Sequence, residues 1–165
     1  MSRRSFYRRL LRDLAYIDSN VFIYPVIYEA EAVEKARRAK EVLTRIERGE
    51  LLAYTSTLTW DEVVWVISRV LSRSDGVEQG RKLIGFPNLR FIEIDLTILT
   101  QAQRLIERYN LKPRDSIHIA SALSRKIKKI ISDDKDLDRV KAVSYTHLRA
   151  HETEAELVCR LLLEK

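Results

Sequence analysis

The sequence predicts an α/β protein in which helices surround a central parallel sheet of four to five strands. Short apolar runs typical of buried strands alternate along the chain with longer segments whose apolar residues recur at helical spacing. This alternation favours a parallel sheet covered by helices. The length of 165 residues, with 45% hydrophobic and 33% charged residues, suits one globular domain.

Four short apolar runs are predicted as strands because they are bounded by turn or helix-start residues. In chain order these are residues 14–18, 51–54, 89–94 and 129–132. A fifth strand is predicted to open at residues 141–143. All five are expected to pair in parallel because helical segments separate most of them.

The segments between the runs are predicted as helices. They comprise residues 31–48, a helix that starts at Ser56 or Thr57 and contains residues 63–70, residues 76–84, residues 97–109, a helix that starts at Pro113, and a short turn or helix at residues 134–140. Gly49 is a stop signal for the first helix, and proline suits the first position of a helix.

The charge balance restricts the partners. Thirty basic and 24 acidic residues give a formal charge of +6, which favours an anionic partner such as nucleic acid. The single cysteine, Cys159, excludes an intramolecular disulfide and a cysteine-rich zinc site. No apolar run approaches the ~20 residues of a membrane span and no signal peptide is recognisable, so we expect a cytoplasmic protein.

Residues 143–165 are expected to be a non-native tail. They resemble the in-frame translation of a sequencing-library adapter, from which only Glu156 departs. The alternative is an ordinary C-terminal helix, because leucines near the end have helical spacing. Three tail residues that could be mistaken for a metal set are therefore set aside: His147, His151 and Cys159.

Four acidic residues lie where strands should end or helices begin. They are Asp18, Glu62, Asp115 and Asp134. Active sites of parallel sheets gather at the carboxyl ends of the strands, so these distant acids can converge. Because carboxylates beside apolar segments are costly to desolvate without a positive charge, a converging set implies a cation. The preference for oxygen ligands predicts Mg²⁺ or Mn²⁺.

Each acid alone also has a structural explanation, as a helix cap or as a partner of a helix dipole. Asp133 is an alternative to Asp134 as the fourth acid. His118, on an apolar helix face, is predicted to be a packed residue rather than a catalytic base. Arg114 and Lys135 are candidates to contact a phosphate backbone, although either can simply belong to a solvated surface.

Four segments carrying these acids resemble, in order and spacing, the PIN-domain ribonucleases, and most of all the VapC-type toxins of toxin–antitoxin pairs. The segments are Ile-Asp-Ser-Asn-Val-Phe at 17–22, Ser-Thr-Leu-Thr-Trp-Asp-Glu at 56–62, Pro-Arg-Asp-Ser-Ile-His-Ile-Ala at 113–120 and Ser-Asp-Asp-Lys-Asp-Leu at 132–137. The resemblance implies a PIN-like nuclease domain of α/β/α layers at residues 14–142. The arginine-rich residues 1–13 before it are interpreted from their composition as a basic N-terminal extension.

The resemblance also implies roles for individual residues. Asp18, Glu62, Asp115 and Asp134 correspond to the acidic quartet of the family, and three of them, Asp18, Asp115 and Asp134, are expected to bind the metal. Asn20 and Ser132 correspond to polar positions that orient the ligands, and Asp136 is expected in a similar outer position. The spacing favours Asp134 over Asp133. Leu137 departs from the pattern, since an aromatic residue is common there.

The activity implied is Mg²⁺- or Mn²⁺-dependent endonucleolytic hydrolysis of RNA by the toxin of a toxin–antitoxin pair. The alternatives are a non-catalytic RNA- or protein-binding module on the same fold and a housekeeping RNA-processing nuclease. The resemblance further implies a homodimer and an antitoxin partner. Apolar stretches at residues 21–27 and 63–70 are compatible with such surfaces.

Overall fold

The computed structural model describes residues 13–141 and 143–148, in which strands and helices alternate as expected. The elements are β1 (Asp13–Ile17), α1 (Ser19–Ile27), α2 (Glu34–Glu47), β2 (Leu51–Ser56), α3 (Thr57–Val70), α4 (Arg73–Ile84), β3 (Leu89–Ile92), α5 (Leu96–Tyr109), α6 (Pro113–Ser124), β4 (Lys129–Ser132), a 3₁₀ helix (Lys135–Arg139) and β5 (Ser144–His147).

The strands form one parallel sheet in the order β3-β2-β1-β4-β5. Successive side chains of a strand point to opposite sides of the sheet, and apolar residues occupy both sides. Ala15 and Ile17 of β1 pack in a core with α1 to α4, whereas Tyr16 packs in a second core with α5 and α6. The prediction of a three-layer α/β/α fold with a parallel sheet is therefore confirmed.

The helix α1 is absent from the sequence prediction. Asp18 caps its first turn by accepting from the Ser19 amide, and Pro25 lies inside it. A proline within a nine-residue segment argues against a helix because it lacks the amide donor. Packing against the sheet compensates here, since Val21, Phe22 and Ile23 are buried in the core.

That burial changes the interpretation of the two apolar stretches. All of residues 21–27 except Pro25 belong to the first core or pack against it, and Val63 and Ile67 of the second stretch are buried there too. The exposed large apolar side chains of α3 and α4, with the turn between them, are instead Trp60, Trp65, Val70, Leu71, Val77 and Ile84.

The last strand begins after residues 141–143, which were predicted to open it. β5 begins at Ser144 and pairs in parallel with β4, so four residues of the expected tail extend the sheet. Residues 1–12 and 149–165 lie outside the described part of the chain, and the expected extension and tail stay predictions. Among the described residues, no helix has the length and apolar character needed to cross a membrane.

Candidate active site

The four predicted acids lie on elements that meet at the carboxyl ends of β1 and β4. Asp18 follows β1, and its backbone amide donates to the Ile131 carbonyl of β4. Asp134 follows β4 and caps the 3₁₀ helix through the Asp136 amide. Glu62 lies in α3, which continues directly from β2, and Asp115 lies in the first turn of α6. The topology therefore brings four distant segments to one edge.

The Ser132 hydroxyl joins the first and last acids. Its Oγ donates to Asp18 Oδ2, and it accepts from Asn20 Nδ2 at 3.1 Å and from the Asp134 amide at 3.0 Å. Asn20 Nδ2 also donates to Asp18 Oδ2 at 3.0 Å. These bonds fix the Asp18 carboxylate and the start of the Asp134 segment together, which is the geometry expected of ligand-orienting residues.

Glu62 is held by a buried histidine. His118 Nε2 lies 2.8 Å from Glu62 Oε2 and 3.5 Å from Asp18 Oδ1, while Nδ1 lies 2.7 Å from the Tyr16 hydroxyl. Burial acts to raise the pKa of Glu62, but hydrogen bonds from His118 and Ser19 outweigh it and lower the pKa below its ordinary value. Glu62 is thus an ionised carboxylate at neutral pH.

The neighbours of His118 favour its charged form, although the ring is buried. Burial opposes the charged form of His118, but Tyr16, Asp18 and Glu62 raise its pKa well above the ordinary value. In the neutral form the Tyr16 hydroxyl can donate to Nδ1, which leaves the proton on Nε2. Both forms therefore present an N–H donor to Glu62.

Asp115 belongs to a second group of acids. Asp115, Asp134 and Asp136 each offer a carboxylate oxygen within 4.8 Å of the others. Burial, and then the negative charges of Asp134 and Asp18, raise the pKa of Asp115 to about 6. Asp136 is compensated already, because Lys112 lies 2.9 Å and Arg139 3.2 Å from its oxygens.

The second group fits a divalent cation. Asp115 Oδ2 is buried and has no hydrogen-bond partner among the described residues, and neither Asp115 nor Asp134 forms an ion pair within that part of the chain. Carboxylate oxygens are the ligands that Mg²⁺ and Mn²⁺ prefer. A cation between Asp115 and Asp134 would offset the charge that raises the pKa of Asp115.

The predicted quartet is therefore divided between two neighbouring groups. Asp18 and Glu62 form the first with His118, and Asp115 and Asp134 form the second with Asp136. The predicted metal ligands Asp18, Asp115 and Asp134 span both groups. Asp18 nevertheless lies close enough for its charge to raise the pKa of Asp115.

Asp133 has different contacts from its neighbour Asp134. Its carboxylate is buried, and it accepts from the Lys35 ammonium of α2 and from the Tyr24 hydroxyl of α1. Burial and the bond to Asp133 raise the pKa of Tyr24. Asp133 thus ties β4 to two helices, whereas Asp134 joins the acidic group, as the spacing favoured.

The two predicted phosphate contacts differ in position. Arg114 is half exposed, and its guanidinium lies 4.0 Å from both Glu62 Oε1 and Asp61 Oδ2. Lys135 is exposed at the start of the 3₁₀ helix, next to Asp134 in the chain. Both lie at the rim of the acids, and their contact with phosphate stays a prediction.

Sequence reasoning correctly predicted that His118 is buried but missed its contact with two acids. Only 2% of the residue is exposed, and it packs edge-on against Tyr16. The overlooked signal is the spacing of His118 from Asp115. Residues three apart on a helix lie on the same side, so both side chains lie on the side of the helix that faces the site.

The chain is similar to known proteins in its family pattern and in its fold. A family model described as "PIN domain" matches residues 15–143. The comparison with curated proteins gave no match. Solved structures similar to this chain include a toxin–antitoxin complex from Klebsiella pneumoniae, with 22% identity, a TM-score of 0.55, and coverage of 79% of this chain and 95% of that chain.

Two further structures have the same fold at lower identity. VapC20 of Mycobacterium tuberculosis, titled a sarcin–ricin loop cleaving toxin, is 14% identical with a TM-score of 0.62, covering 75% of this chain and 92% of its own. The DNA-bound VapBC of Salmonella typhimurium is 14% identical with a TM-score of 0.58, covering 83% and 99%.

Proposed function

This chain belongs to the PIN-domain family, and on that premise we propose that it is a Mg²⁺- or Mn²⁺-dependent endoribonuclease. The observation that carries the proposal is the pair Asp115 and Asp134, two close carboxylates without an ion-pair partner among the described residues. Two such carboxylates repel each other when both are ionised, and a cation shared between them would relieve that repulsion. The positive net charge of +6 favours an RNA substrate.

Each residue of the site has a separate role in the proposed reaction. A divalent ion bound here supplies positive charge that activates water and stabilises charge at the phosphorus. Asp115 and Asp134 hold the ion, and Asp18, fixed by Ser132 and Asn20, completes the ligand set. Glu62, ionised and oriented by His118, accepts a hydrogen bond from the attacking water and directs it at the phosphate.

Cleavage of a labelled single-stranded RNA with Mg²⁺, with Mn²⁺ and with EDTA tests the proposal. We expect cleavage in either metal and none in EDTA, with Asp18→Asn inactive. Asp61→Asn is the matched control because Asp61 is an exposed acid beside Glu62. Cleavage that survives both the chelator and the Asp18 substitution would refute the mechanism. RNA binding without cleavage would favour a non-catalytic module.

We further propose that the enzyme is the toxin of a toxin–antitoxin pair, acts in the cytoplasm and forms a homodimer. The support is the family, together with similar structures whose titles name toxin–antitoxin complexes. Expression should arrest growth, and the product of an adjacent gene should relieve the arrest. A housekeeping RNA-processing nuclease predicts normal growth without any such partner.

A further inference from the structure

The exposed Trp65 stands beside the acidic site. It lies three residues after Glu62 on α3, and residues at this spacing are neighbours on a helix surface, about 5–6 Å apart at Cβ. Its exposed fraction is 52%. Large aromatic side chains are costly to leave in water, so a half-exposed indole at the rim of a site requires an explanation.

Trp60 and Trp65 are both partly exposed but have different neighbours. Trp60 packs its indole nitrogen against Gly80 of α4, where a Cβ would come within 2.9 Å. The Trp65 ring lies among charged side chains instead: the Arg69 guanidinium carbon is 5.4 Å from the ring centre, and the exposed Asp61 is one turn earlier on the helix. Charged neighbours are depleted at the core of protein interfaces, so this surface is a poor candidate for burial against a second copy.

Arg114 connects Trp65 with the acids. Its guanidinium carbon lies 5.8 Å from the centre of the Trp65 ring, and its nitrogens lie 4.0 Å from Glu62 Oε1 and from Asp61 Oδ2. Arginine planes and aromatic rings are the two side-chain surfaces on which unpaired bases stack. Here the Arg114 guanidinium lies over the Trp65 ring, next to the carboxylates expected to bind a phosphate through a metal.

We propose that Trp65 and Arg114 form a stacking subsite for the base of an unpaired nucleotide next to the phosphate that the acids engage. This inference rests on the proposed ribonuclease function, and it adds the residues that hold one base during cleavage. A paired base inside a duplex has both faces covered and cannot occupy the subsite. Stacking is tolerant of base identity, so the subsite selects single-stranded geometry rather than sequence.

The two tryptophans of the chain allow a direct test. In Trp60→Phe protein, Trp65 is the sole tryptophan, and its emission is titrated with a fluorescein-labelled, unstructured oligoribonucleotide while anisotropy reports binding. Ca²⁺ replaces Mg²⁺ in this titration so that cleavage is slowed. It can occupy the same site because it also prefers oxygen ligands. We expect quenching of Trp65 that parallels the anisotropy. Trp65→Phe protein should bind the oligonucleotide while Trp60 emission stays constant.

Affinity provides a second readout. Trp65→Ala should weaken binding of the oligonucleotide by about 5- to 100-fold, the range for losing one base–aromatic stack. Trp60→Ala is the matched control and should leave affinity within about twofold once its melting temperature shows a folded protein. A blunt duplex of the same sequence should not quench Trp65.

Four outcomes would overturn the inference. Bound oligonucleotide with unchanged Trp65 emission, or equal quenching by the duplex, would remove the subsite and leave the nuclease proposal standing. Trp65 emission that changes with protein concentration in the absence of RNA would assign the indole to an interface between copies. Wild-type protein that neither binds nor cleaves RNA would remove the proposed function and the subsite together.

Discussion

His118 Nε2 lies 2.8 Å from Glu62 Oε2, and this contact is the link between α6 and the acid of α3. The ring cannot easily rotate, because its Nδ1 is bonded to the Tyr16 hydroxyl, which accepts in turn from the Ser56 amide at 3.1 Å. Tyr16 and Ser56 are fully buried on adjacent strands. The sheet therefore sets the orientation of Glu62 through the histidine.

Replacing His118 should impair catalysis as well as folding. His118→Gln keeps an N–H donor in reach of Glu62, whereas His118→Ala leaves that buried carboxylate without its partner. We expect His118→Ala to lower the RNA cleavage rate by about 10- to 100-fold, the usual cost of losing a group that orients a site residue. His118→Gln should recover part of the loss.

Tyr16→Phe is the control for that experiment, since it removes the support of Nδ1 but leaves the His118–Glu62 contact. Its effect on rate should be smaller than that of His118→Ala. Thermal melting should verify that His118→Ala and wild-type protein are both folded. Equal cleavage rates for the two would show that Glu62 does not need His118 to orient it.

Asp115 should make the metal-free protein less stable at neutral pH than at pH 5. Its pKa is raised from 3.8 to about 6 by burial and by Asp134 and Asp18. The folded state therefore binds the proton more tightly than the unfolded state, and stability falls as pH rises between these values and stays reduced above about 6.

Asp115→Asn should consequently stabilise the protein in EDTA by about 1–2 kcal/mol at pH 7.5, discounting for partial exposure, with a gain that disappears toward pH 4. Urea unfolding at a series of pH values measures it. Asp61→Asn, at an exposed acid, should show no such trend. A stability gain that grew at low pH would mean that folding lowers the pKa of Asp115 rather than raising it.

Asp133 and Asp134 should respond in opposite ways to the same substitution. Asp134→Asn removes a carboxylate from the acidic group while an amide oxygen can still cap the 3₁₀ helix, so cleavage should be lost at nearly unchanged stability. Asp133→Asn breaks the ion pair with Lys35 at a buried site and should cost about 1–3 kcal/mol of stability. Cleavage by the folded fraction should remain.

Urea midpoints and initial cleavage rates of the two variants check this prediction. Lys35→Met is a useful third variant because it removes the same ion pair from the exposed side and should resemble Asp133→Asn. If Asp133→Asn were inactive but fully stable and Asp134→Asn were active, Asp133 rather than Asp134 would be the acid required for cleavage.

The sequence was sufficient for the first four strands and for placing the acids at strand ends and helix starts, because both follow from local patterns. The run at 129–132 coincides with β4, and the acids that end β1 and β4 meet since parallel strands share an edge. The division of the acids into two groups was not predictable, because it depends on distances between side chains of α3 and α6. The contact between Asp133 and Lys35 is of the same kind, joining residues 98 apart in the chain.

Ser132 is the residue whose loss should weaken both groups of acids at once. Its Oγ donates to Asp18, and it accepts from the side chain of Asn20 and the amide of Asp134. Ser132→Ala leaves these groups without a shared partner at a position that is almost completely buried. We expect a loss of about 1–3 kcal/mol in stability and of about 10- to 100-fold in Mn²⁺ affinity.

Isothermal titration with Mn²⁺, together with urea unfolding in EDTA, measures both effects of Ser132→Ala. Ser121→Ala is a close control, because Ser121 is also fully buried but its Oγ has no hydrogen-bond partner among the described residues. Removing an unpartnered buried hydroxyl should be neutral or stabilising, and Mn²⁺ affinity should not change. Equal Mn²⁺ affinity for Ser132→Ala and wild-type protein would mean that Asp18 and Asp134 are positioned by the backbone alone.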